Sequence, residues 1–515
     1  MTKRTTKFVT ALTLAVLVFA GLNCFALTGV LVNAAGSTGA FNAFALAADN
    51  ATSECGTHIW TKKSGASGID NRNPSIPANT ANIWIVWNTK QNTVCSYLAV
   101  DSVIGQQLFF AVPHSTLSIP SAEIGVAGDN LVATLTDEPL PAAIYALLNG
   151  QQFNAAPSDI RPEDALFEAN RVLAPLDTVH YNGLGYGPGP IGTTIKSSQS
   201  AKAVTPVAYA ITGNDPISQL PVAAYKTTNV GAQAIIFFVN TTDSSAGGFG
   251  TSAFSNVSRF TLAAMLNGTF TRTRDMANQT GLPSIGAHVF LREPTSGTYT
   301  TTEFTIPRSV EINSTQELGV DPSVDNPLNI SYASGGTRQR VVGSGEMVAT
   351  VGATTDSLGY AFWSTTSFAN VVGTTKYLTV DGVDPLYATV LQNPSQTFPT
   401  CTAPCSGLVT FPNIANGSYP AWNVLRVVTV NPAPSAVTKL ITQAQSQVVN
   451  VTPDFLPLGS LQVFRSHYLQ SGVSPANGLT GGSEAGGDVG GAVFSIQGGQ
   501  DYNADTGHGL TNKKQ

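Results

Sequence analysis

Two stretches of this chain share one plan: an apolar run, a turn of small residues, and the start of a helix. Leu27 to Ala35 leads into Gly36-Ser37-Thr38-Gly39 and then into Ala40 to Asp49, rich in Ala, Phe and Leu. Ile285 to Leu291 leads through Arg292 into Ser296-Gly297-Thr298 and a Thr-rich stretch. An apolar run of this length suits a buried strand, and Ser or Thr before a periodic stretch suits a helix N-terminus. Such a terminus has unbonded N–H groups and a partial positive charge, so it can hold an oxyanion. In the second copy Arg292 adds a fixed cation and Ser296 and Thr298 add hydroxyl donors, while Gly297 lets the backbone come close to a ligand. A capped helix beside an exposed arginine uses the same residues without any ligand.

Elsewhere apolar runs alternate with amphipathic stretches. Asn82 to Trp87 and Ser96 to Val112 read as strands, as do Val204 to Thr212 and Ala232 to Asn240. Glu163 to Leu173 reads as a helix, and Phe260 to Asn267 has helical spacing with a stop at Gly268. Strands alternating with helices predict α/β organisation, and 515 residues exceed one ordinary core, so two or more lobes are expected. Ser64 to Ala81, Thr178 to Ser200 and Gly478 to Gln515 are rich in Gly, Ser, Asn and Pro and read as loops, the last as a flexible C-terminal tail.

The N-terminus combines Lys3, Arg4 and Lys7 with the apolar stretch Phe8 to Leu22 and a small-residue end near Ala26, the pattern of a signal peptide over residues 1–26. The alternative is an uncleaved anchor, because Phe8 to Ala35 is long enough to span a bilayer. Export agrees with only 11% charged residues among many Gly, Thr, Ser and Asn. Removal of Cys24 leaves four cysteines, and Cys55–Cys95 with Cys401–Cys405 is the favoured one of three possible pairings. A net charge of -6 with no long basic run argues against a nucleic-acid partner, so an anion site here has to be local. The six histidines are scattered without metal-ligand spacing, and no nucleophile elbow is present; no metal, cofactor or catalytic role is expected. The glycines of Gly187-Pro-Gly-Pro-Ile-Gly192 fit a dinucleotide fingerprint formally, but its prolines remove the N–H donors such a loop needs.

Ala156-Pro157-Ser158-Asp159 stands before a probable helix, where Ser158 or Asp159 could serve as a plain cap. A sharper alternative follows from hydrogen-bond chemistry. An ionised carboxylate only accepts, so in an oxyanion site it selects an anion that still carries a proton, as hydrogen phosphate does and sulfate at neutral pH does not.

These segments in order resemble the phosphate-binding protein of bacterial phosphate ABC transporters, of the type II periplasmic binding-protein superfamily. The resemblance rests on Val30 to Phe41, on Ala156 to Asp159, on Phe260 to Phe270, on Arg292 with Ser296-Gly297-Thr298, and on Gly345 to Val348 with Asp356 to Ala361. It implies an α/β fold of two lobes closing like a flytrap on a ligand cleft: residues 27–209 with 357–515 as the first lobe and 210–356 as the second. The implied ligand is hydrogen phosphate, held by Ser37, Thr38, Gly39, Ser158 and Asp159 from one lobe and by Arg292, Ser296, Gly297 and Thr298 from the other. The implied role is non-catalytic: an exported, periplasmic or secreted solute-binding protein that hands inorganic phosphate to permease subunits. Two features depart from the family. Pro294 stands where an acidic residue commonly orients the arginine, and the separate Ser-Gly turn that precedes the Ser-Asp turn has no counterpart unless Ser64 to Gly68 provides it. The unusual length and the insertions around residues 50–95 and 365–430 keep open a surface, adhesion or sensor role on the same fold, or another oxyanion as ligand.

Overall fold

The computed structural model describes residues 29–63, 82–165, 225–306, 329–465 and 493–495, short gaps apart. The expected signal peptide, the helix over Glu163–Leu173 for the most part, the strand over Val204–Thr212, the glycine-proline segment 187–192 and the Ser64–Gly68 turn lie outside these residues.

Thirteen strands form one mixed sheet. In chain order they are β1 (Val30–Gly36), β2 (His58–Lys62), β3 (Asn82–Asn88), β4 (Thr93–Ala99), β5 (Ala155–Ser158), β6 (Tyr225–Asn240), β7 (His288–Arg292), β8 (Asn329–Ser331), β9 (Thr337–Val341), β10 (Ser357–Phe362), β11 (Thr375–Tyr377), β12 (Trp422–Val430) and β13 (Leu456–Pro457). They run in the order β2-β3-β4-β1-β5-β12-β6-β10-β7-β9-β8, with β11 and β13 also on β6. Strand β6 joins the halves of this sheet because its partner changes midway: Ala234 pairs with Trp422 of β12, whereas Ile235 pairs with Phe362 of β10. Its apolar stretch from Ala232 is buried, as expected for a strand covered on both faces.

Helices α1 (Phe41–Ala48) and α6 (Ser435–Asn450) cover one face of the β1–β4 half, packing with Val32, Trp84 and Val427. Helix α6 buries Val437, Leu440, Ile441, Ala444 and Val448, the stripe of a helix with one face inward. On the other face α2 (Ser102–Phe110) packs with Ala35, Trp60 and Ile85. Around β6, β7 and β10 a separate apolar cluster includes Leu262, Leu291 and Met347, from α3 (Arg259–Leu266), β7 and α5 (Gly343–Ala353). That cluster also takes in Leu358 to Trp422, residues that the expected lobe division places with the N-terminal half. All five tryptophans are buried, in agreement with their place in apolar runs.

Two expectations are corrected. Ser96 to Val112 is not continuous strand: β4 stops at Ala99 and α2 begins at Ser102. Every residue of α2 is buried, including Ser102, Gln106 and Gln107, so no exposed polar face marks the helical period. Gly105 permits this packing, because a Cβ there would stand 2.3 Å from the Ala35 carbonyl oxygen. The C-terminal stretch is also not wholly a tail, since Val493–Ser495 pairs antiparallel with Val463–Arg465.

Cys55 and Cys95 form a disulfide with Cα atoms 5.3 Å apart, an ordinary separation. Cys405 is disulfide-bonded as well, while Cys401 lies outside the described residues. No helix among the described residues is long and apolar enough to cross a membrane, and Val30 to Ala35, the end of the stretch that could have served as an anchor, is strand.

Candidate functional site

The C-terminal ends of β1, β4, β5 and β7 bring four turns together. After β1 the chain turns at Ser37, whose Oγ accepts from the Gly39 N–H at 3.1 Å. After β4 it turns at Asp101 into α2. After β5 it turns at Asp159. After β7, Arg292 leads to α4 (Gly297–Thr305), where Ser296 is the N-cap and its Oγ accepts from the Thr298 N–H at 3.1 Å. Strands β1, β4 and β5 run parallel and deliver their turns to one end of their half of the sheet, while β7, which runs opposite to them, brings its turn and the start of α4 to the same place from the other half.

Arg292 is fully buried, which excludes the capped helix with an exposed arginine. Its guanidinium donates to Asp101 Oδ1 at 2.7 Å, Ser344 Oγ at 2.9 Å and Thr298 Oγ1 at 3.2 Å. Its backbone N–H donates to the Tyr360 hydroxyl at 3.1 Å. Ser344, at the start of α5, also shares a hydrogen bond with Thr38 Oγ1 at 3.0 Å. Asp101 and Thr38 come from the β1–β4 half of the sheet, and Arg292 and Ser344 from the other, so these bonds tie the halves across the site.

Asp159 is buried, and among the described residues its Oδ1 has no hydrogen-bond partner. Burial pushes its carboxyl up to about 6, against the opposing pull of Ser37 and Ser102 hydroxyls and of the Arg292 and Arg426 guanidinium groups. Its backbone is fixed on both sides: the N–H donates to Ser102 Oγ at 3.1 Å, and the carbonyl accepts from Asn423, which also donates to Thr301 Oγ1 at 2.9 Å. Tyr97 donates to the Ser37 carbonyl, and its hydroxyl is pushed up by burial and then by the charges of Asp159 and Asp101.

Among the expected residues, Ser37, Thr38, Asp159, Arg292, Ser296, Gly297 and Thr298 gather around this point. Gly39 lies beside Gln233, whose Nε2 donates to the Gly39 carbonyl at 3.0 Å. Ser158 is used otherwise: its hydroxyl donates to the Ile160 carbonyl at 2.8 Å and accepts from Gln106 at 2.7 Å. Gly297 is where the halves come closest, for a Cβ there would stand 2.6 Å from Asp159 Oδ2 and 2.7 Å from Ser102 Oγ. Gly297→Ala is expected to destabilise the protein by about 1–3 kcal/mol in denaturant unfolding. An unchanged midpoint would show that the two halves separate freely at this contact.

Sequence reasoning missed Asp101, Ser102, Ser344, Asn423 and Arg426. The first two had a usable signal, an Asp-Ser pair between an apolar run and a long apolar stretch, which is a helix start when that stretch is recognised as helical. Pro294 supplies no acid for Arg292, and Asp101, nearly two hundred residues earlier in the chain, supplies it instead.

No family model and no curated protein matches this chain. Solved structures overlap with it in part. A phosphate-binding protein from Stenotrophomonas maltophilia is 13% identical, with 62% of this chain and 79% of that one covered and a TM-score of 0.31. An ABC-type phosphate transport receptor from Vibrio cholerae is 14% identical, with 46% and 72% covered and a TM-score of 0.26. Overlaps of this extent assign neither fold nor activity to this chain.

Proposed function

We propose that this chain is an exported solute-binding protein that takes hydrogen phosphate at the Arg292–Asp159 site and delivers it to the permease subunits of an ABC transporter. The observation that carries the reading is a buried guanidinium, flanked by three helix starts, facing a buried carboxylate with an unpartnered oxygen. The guanidinium, the hydroxyls of Ser37, Thr38, Ser296 and Thr298, and the backbone N–H group at Gly297 supply donors for the oxygens that carry charge, with the turn at Gly39 held by its own bond to Ser37. Asp159 supplies an acceptor for the oxygen that carries the proton. No nucleophile, base or metal is needed for such binding. In this reading the two halves of the sheet are the two lobes, and they close on the ligand about β6 and β12.

The test is thermal unfolding with and without ligand, because an anion that binds only the folded state raises the midpoint by mass action. Phosphate at neutral pH is expected to raise it and sulfate to leave it unchanged; equal shifts from both would remove Asp159 from the role. The preference is also expected to depend on pH. Asp159 takes up a proton as the pH falls through about 6 and then donates instead of accepting. Sulfate binding is therefore expected to appear between about pH 7 and about pH 5, with the phosphate-to-sulfate affinity ratio falling by an order of magnitude or more. A ratio that stays constant over that range would contradict this assignment.

A further inference from the structure

We infer that Asp101 is the resident counter-ion of this site: it neutralises Arg292 in the unliganded protein and competes with the bound anion for it, so that Asp101 lowers the affinity. The inference rests on the phosphate reading for its affinity part only. Asp101 has φ 74 and ψ 158, a backbone conformation that essentially only glycine adopts freely. A residue needed only to turn the chain between β4 and α2 would be glycine. A residue needed to cap α2 would bond its first N–H groups, yet the Asp101 side chain makes no cap hydrogen bond. Its carboxylate is committed instead to Arg292 at 2.7 Å, in an ion pair whose side chains are 0% and 2% exposed. In such a place an uncompensated charge is far costlier than the pair. Ser344 and Thr298 accept from the same guanidinium as neutral hydroxyls.

The two carboxylates of the site therefore differ in what they offer an incoming anion. Asp159 has an unpartnered oxygen for a ligand proton, whereas Asp101 has its charge directed at the same cation the anion needs. A hydrogen phosphate contacting Arg292 shares it with Asp101 and is repelled by that carboxylate. Removing the charge of Asp101 takes from Arg292 the carboxylate it is bonded to until an anion arrives, which shifts stability from the unliganded to the liganded protein.

The experiment compares Asp101→Asn and Asp101→Gly with the wild-type chain by calorimetric titration with inorganic phosphate and by thermal unfolding without it. The expected result is a lower unliganded midpoint for Asp101→Asn and phosphate binding tighter on the order of tenfold in both variants. Asp101→Gly is expected to melt above Asp101→Asn, because glycine relieves the backbone. Weaker or unchanged phosphate binding in both variants would overturn the inference, the former by making Asp101 an aid to binding. A double-mutant cycle of Asp101→Asn with Arg292→Met, unfolded without phosphate, separates this claim from the phosphate reading. Coupling between the two substitutions supports the counter-ion role even if the wild-type chain binds no phosphate, and additive effects would refute it.

Discussion

Arg292→Ala is expected to abolish phosphate binding, by a factor on the order of 100 to 1,000, and to lower stability in the absence of ligand. The first effect follows from losing a buried guanidinium that can give charge-assisted hydrogen bonds to the anion; such bonds contribute about 1.5–3 kcal/mol each. The second follows because the buried carboxylate of Asp101 loses its ion-pair partner, a change that costs roughly 3–5 kcal/mol where both charges are desolvated. Arg292→Lys separates the two effects. It keeps a charge near Asp101 but cannot serve Asp101, Ser344 and Thr298 at once with a planar fork. Binding in Arg292→Lys is expected to fall by at least tenfold while most of the stability returns. Titration calorimetry and urea unfolding measure the two quantities, and near-normal phosphate binding by Arg292→Ala would remove the arginine from the site.

Asp159→Asn is expected to act in the opposite direction on stability while exchanging one ligand preference for another. The carboxyl is held at about 6 in the folded protein against 3.8 ordinarily, so the folded state binds more protons than the unfolded state between those values. Its contribution to stability is therefore greatest at low pH and declines as the pH rises to about 6, leaving an unfavourable ionised group at neutrality. The amide removes that burden, and the unliganded variant is expected to melt above the wild-type chain at neutral pH and to lose the advantage near pH 4. Asp356 is also pushed up to about 6, by burial first, and gives a slope of the same sign in both proteins; the difference between them isolates Asp159. For binding, the amide can turn its NH2 toward a fully ionised oxygen. Phosphate affinity is expected to fall about tenfold or more and sulfate binding to appear. A variant that keeps the wild-type preference would show that selection is made elsewhere.

The parts of this architecture visible in the sequence are those where local pattern and local structure coincide. The run Ala232 to Asn240 is a strand because it is buried on both faces, and Ser296-Gly297-Thr298 starts a helix because Ser296 caps it and Gly297 admits the Asp159 carboxylate. Arg292 and Asp159 stood out because a fixed cation and an acid next to helix starts are chemically conspicuous. What remained hidden depends on contacts between distant segments. The residue that pairs with Arg292 lies at Asp101, before a helix whose burial on every side, polar residues included, concealed its period. Ser344 joins Thr38 to Arg292 only because α5 ends up against the turn after β1, a juxtaposition that no local spacing encodes. The extent of the apolar cluster from Ala232 to Trp422 likewise depends on β6 exchanging β12 for β10 halfway along its length.

The measurement that bears most directly on the account is calorimetric titration of the chain, freed of bound anions by unfolding and refolding, with phosphate and with sulfate at about pH 7.5. The account predicts saturable phosphate binding at one site per chain and no heat from sulfate at the same concentrations. Binding of neither anion, or of both with equal affinity, would contradict it.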